Sequence, residues 1–89
     1  MIHLSDIERV LQDSLNPSYL KLEDDSASHA GHYQGNGGVT HLTVYIQSPQ
    51  LTGSRVAQNR AVMRVLEPFI DRGLHAVSIR MTPPLGPTQ

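Results

Sequence analysis

Between Asp24 and Gly35 the chain reads DDSASHAGHYQG, which sets His29 and His32 three residues apart among small polar residues. Ser, Asn or Gly would turn the chain more readily, so the two imidazoles ask for a chemical reason. Neutral imidazole is a metal ligand, and its charge changes in mild acid. His3, His41 and His75 bring the histidines to five, and there is no cysteine at all. A disulfide, a thiolate metal site and a thiol nucleophile are therefore excluded, and any soft-metal chemistry needs a partner's sulfur. No predicted helix carries the paired-histidine spacing of a zinc enzyme, so an independent zinc site is not expected.

The other polar clusters are weaker signals. Asp24-Asp25-Ser26 places carboxylates and a hydroxyl near His29, but adjacent polar residues in a loop are turn chemistry rather than a prepared nucleophile, and no catalysis is expected. GNGG, residues 35–38, lacks the following helix N-terminus and lysine of a phosphate loop. Gly53 stands alone where a nucleic-acid-binding KH site would need a G-x-x-G loop. Arg55, Arg60 and Arg64 fall on one predicted helix, with Arg60 and Arg64 on one face. They form a solvated helix face, a protein-docking edge or a DNA-contacting edge; the spacing alone does not choose.

The elements that position these residues are readable from the pattern. Ser5-Asp6-Ile7-Glu8 has the form of a capping box, with Ser5 as N-cap, and predicts a helix over residues 6–15 that Asn16-Pro17 stops. Alternation predicts strands at 19–23 and 40–47, paired as a hairpin across a long, mobile loop over 24–39. In the second strand Leu42, Val44 and Ile46 face the core, and His41 lies on the opposite face with a structural role. SPQLTGS is turn chemistry with Leu51 tucked inward, and Ser54 caps a second helix running to about residue 71. Val56, Val62, Met63, Leu66, Phe69 and Ile70 are its expected buried stripe, and Pro68 either kinks it or opens a separate short helix. Gly73 ends the helix, and residues 74–81 form a third strand. The result is one small α/β (α+β) domain in the order α-β-β-α-β, with a three-stranded sheet covered by helices on one face. The domain spans residues 1–82, and residues 83–89 are a proline-rich tail.

At 89 residues, folding buries only ~60–65% of the surface of the unfolded chain, so the core must be simple. Apolar residues at 38% and charged residues at 17% suit a soluble domain. The net charge is −1 with neutral histidines and reaches +4 if all five protonate, so global charge gives no reason to expect nucleic acid. No apolar run approaches the ~20 residues needed to span a bilayer, and the N-terminus lacks the features of a signal peptide. A cytoplasmic location is expected.

DDSASHAGH, then THLTVYIQS, then a glycine before a helix with Arg60, and finally LHAVSI follow the order and spacing of the BolA family, which the chain resembles over roughly residues 5–82. The resemblance implies a mixed sheet similar to a type II KH domain. It also implies a role beside a monothiol glutaredoxin, with which such a protein shares a [2Fe-2S] cluster. There the glutaredoxin supplies a cysteine, glutathione a second thiolate, and the BolA-like protein imidazole. Carried onto this chain, the resemblance gives His75 and His29 as ligands, with His32 as the alternative in the loop. No cofactor is expected on the chain alone, which would be a monomer or weak homodimer. The alternative role is a DNA-binding transcriptional regulator using Arg55, Arg60, Arg64 and Arg80. The family's Arg-His-Arg triplet reads Gln58-Asn59-Arg60 here, which weakens that alternative.

Overall fold

A computed structural model describes residues 2–26 and 38–81 of the chain. His29, His32 and the tail over 83–89 lie outside the described residues. The elements follow the expected order: α1 (Leu4–Leu15), β1 (Tyr19–Asp24), β2 (His41–Gln47), α2 (Arg55–Ile70) and β3 (Ala76–Arg80). Strand β2 is central, pairing antiparallel with β1 and parallel with β3, so the sheet is mixed.

Alternation in β2 sorts the two faces. Leu42, Val44 and Ile46 are buried, and the register sets Leu22 and Ile79 on either side of Val44. Against this face α1 packs Ile7, Leu11 and Leu15, and α2 packs Val62, Leu66 and Phe69. Leu51 and Leu74 close the core from the two connections of α2. Burial of each such side chain is worth ~1.5–3 kcal/mol relative to exposure, so the apolar alternation and the helical stripe together hold the two layers.

Several boundaries depart from the sequence expectation. Helix α1 starts at Leu4 with His3 as its N-cap, and no side chain caps it. The amides of Asp6 and Ile7 donate to the His3 carbonyl at 3.0 and 3.3 Å, so Ser5 lies inside the first turn and the expected capping box is not formed. The reason is tertiary: buried Ile2 bridges to Gly38 and accepts from the Val39 amide at 3.0 Å, which fixes the chain before the helix. The C-terminal stop is as expected, with Asn16 left-handed at φ 43° and its amide on the Gln12 carbonyl at 3.0 Å.

In α2 the Ser54 hydroxyl accepts from the Ala57 amide at 3.1 Å, as a cap should. Val56 is 58% exposed rather than part of the buried stripe, and Ile70 is exposed at the helix end. Val62, Leu66 and Phe69 define the core face, and Val56 is turned roughly 90° or more away from it at 3.6 residues per turn. Pro68 opens no separate helix, because α2 runs through it to Ile70. Gly73, at φ 123°, reverses the chain, the Leu74 amide donates to Phe69 at 3.0 Å, and β3 begins only at Ala76.

Candidate functional site

The loop that carries His29 and His32 leaves β1 and returns to β2 across a clamp made by DDS. The Ser26 hydroxyl donates to Asp24 Oδ1 at 2.6 Å and accepts from the amides of Thr40 and His41 at 2.9 and 3.2 Å. The Asp25 amide donates to the His41 carbonyl at 2.8 Å, and the Thr43 hydroxyl donates to Asp25 Oδ2 at 2.6 Å. Ser26 is thus engaged in joining the two ends of the loop, which agrees with reading the motif as structural rather than nucleophilic.

The same base of the loop carries His75. Its amide, like that of Ala76, donates to the Thr40 carbonyl, at 2.8 and 3.2 Å. The parallel register sets His41 opposite Ala76, so His75 lies at the edge of the loop's return. Buried Leu74 anchors the backbone on one side while the His75 side chain is exposed. The imidazole of His75 is therefore presented by a fixed backbone to whatever approaches from solvent.

His41 is the neighbour that sequence reasoning missed. Its ring lies 6.2 Å from that of His75, centroid to centroid, tilted by 57°. It is half-buried, and its Nδ1 shares a hydrogen bond of 3.0 Å with the Thr40 hydroxyl, an arrangement that orients an imidazole. The signal is present in TH at the start of β2, but only the parallel pairing of β2 with β3 brings it to His75. Among the described residues no three His, Asp or Glu side chains form a metal-holding group. His41 and His75 are thus a pair of neighbouring imidazoles at the base of the loop.

The four arginines divide between two surfaces. Arg55 and Arg80 line a groove of about 410 Å³ with Ser78, Ile79 and Met81. Arg60 and Arg64 line a depression of about 430 Å³ on one flank of α2, with Val56, Met63, Glu67 and Ile70. No described helix is long and apolar enough to cross a membrane.

This fold has known counterparts. The BolA-like protein family model matches residues 11–85. A Sinorhizobium sp protein described as "uncharacterized protein in cobS 5′ region" is 37% identical over 86 residues, spanning 93% of this chain and 92% of its own length. The structure of BolA1 from Arabidopsis thaliana superposes with a TM-score of 0.77 at 35% identity, over 89% of this chain and 88% of that one. The BolA domain of SufE1 from the same plant gives 0.76 at 36% identity, over 90% of each chain. The chain spans only 21% of the full SufE-like protein 1, so the likeness there is to one domain. This chain belongs to the BolA-like family.

Proposed function

We propose that the chain is an accessory protein of iron-sulfur metabolism, cytoplasmic and without turnover of its own, which binds a monothiol glutaredoxin and shares a [2Fe-2S] cluster with it and with glutathione. The observation that carries this reading is His75, an exposed imidazole on a fixed backbone beside His41 and the base of the histidine-bearing loop, in a chain without cysteine. Likeness to the BolA domain of a SufE-like protein is in keeping with it. His75 binds the iron, a loop imidazole from His29 or His32 joins it, and Thr40 orients His41 alongside. The cluster, when bound, supplies the electron-accepting chemistry and the visible chromophore; the chain contributes imidazole ligands that leave the partner's thiolates in place.

The test is reconstitution of the wild-type chain with a monothiol glutaredoxin, glutathione, iron and sulfide, followed by visible circular dichroism. A spectrum distinct from that of glutaredoxin alone, lost with either His29→Ala or His32→Ala, supports cluster sharing and identifies the loop ligand. A glutaredoxin spectrum unchanged by the chain contradicts it.

A second reading, DNA binding, is favoured by the groove that Arg55 and Arg80 share. It expects Arg55→Ala with Arg80→Ala to weaken binding and to lower the slope of log affinity against log salt by ~0.9 for each phosphate that is no longer neutralised. Binding that does not depend on salt removes this reading.

A further inference from the structure

The flank of α2 carries an apolar row that the fold leaves uncovered. Val56 is 58% and Ile70 36% exposed, and Met63, half-buried, stands midway between them, seven residues from each. At 3.6 residues per turn these three positions share one line along the helix. Arg60 and Glu67 fall on the same flank, in the depression of about 430 Å³ that the row lines.

The row is symmetric about Met63, and Arg60 and Glu67, three residues before it and four after, carry opposite charges. A two-fold axis through Met63 that runs two copies of α2 antiparallel sets Val56 against the second copy's Ile70 and Met63 against itself. Each Arg60 then meets the other copy's Glu67, once at either end. A pattern in which every apolar residue meets an apolar one, and each of these cations an anion, under one rotation is the mark of an isologous contact. Arg64 is the exception, since it lies close to the axis and faces its own copy there.

We infer that this flank of α2 is a homodimer surface, and that its occupant is a second copy of the chain. The helix has 16 residues and is thus roughly 24 Å long, so a contact limited to it is small and the dimer weak. The Arg64 pair weakens it further. This surface is separate from His75 and does not depend on the glutaredoxin reading.

Sedimentation equilibrium of the full chain from micromolar to millimolar concentration tests the inference, with far-UV circular dichroism confirming the fold of each variant. Wild type is expected to show a reversible monomer-dimer equilibrium. Met63→Glu, which sets two carboxylates at the axis, should abolish it. Arg60→Glu should weaken it at least several-fold, and adding Glu67→Arg should restore it. Arg64→Ala, which removes the like-charge pair, should tighten it. A chain that stays monomeric at millimolar concentration overturns the inference. So does a dimer that survives Met63→Glu, which would place the contact on a sheet edge instead. Loss of an acidic partner's binding on Arg64→Ala, without any tightening of self-association, would assign the flank to that partner and overturn it equally.

Discussion

His75 is placed by its backbone, which separates how this residue is held from what its imidazole does. Its amide is fixed on Thr40 and Leu74 beside it is buried, while the imidazole is exposed. His75→Ala should therefore change stability by no more than about 0.5 kcal/mol in chemical denaturation. Ser26 is the opposite case, since its hydroxyl accepts from two amides at the base of the loop. Ser26→Ala is expected to cost about 1–3 kcal/mol by removing the acceptor that those two amides share, and hydrogen exchange at Thr40 should accelerate. The candidate ligands are picked out by the resemblance of DDSASHAGH and LHAVSI to the BolA pattern, since the residue types alone leave a structural role open for each histidine. The His41–His75 proximity cannot be read there, because it follows from a parallel register between strands far apart in the chain.

At the level of elements, the order of helices and strands is legible because β2 alternates cleanly and Ser54 stands at a helix start. Ser54→Ala should destabilise the domain by about 1 kcal/mol through loss of the Ala57 cap bond. Pro68 lies exposed inside α2 and gives the helix no backbone donor there. Pro68→Ala is expected to raise stability by about 1–3 kcal/mol, read as a higher denaturation midpoint with unchanged slope. The start of α1 differs from the sequence expectation because local capping chemistry at Ser5 is outweighed by the burial of Ile2 against the Gly38–Val39 segment. Hydrophobicity alone would put Val56 in the core, whereas helical phase places it on the outer flank.

For the whole molecule, one apolar face of a three-stranded sheet and two helical stripes make a core with no redundancy. The opposite face carries Lys21, Glu23 and Tyr45, with an exposed Lys21–Glu23 ion pair at 3.7 Å and the Tyr45 hydroxyl donating to Glu23 at 3.3 Å. Such exposed contacts add little. Leu66 is fully buried, and Leu66→Ala should cost about 2–5 kcal/mol, a fall in Tm of roughly 8 °C or more in a domain of this size. His75, by contrast, relies on the domain only for the placing of its backbone, and under the proposed function a partner would supply the sulfur. The most direct measurement is visible circular dichroism of a reconstituted mixture of monothiol glutaredoxin, glutathione, iron and sulfide with the wild-type chain and with His75→Ala. Wild type should produce a new spectrum, and His75→Ala should return it to that of glutaredoxin alone while far-UV dichroism and Tm stay as in wild type. A folded His75→Ala chain that gives the wild-type visible spectrum would contradict cluster sharing through this histidine.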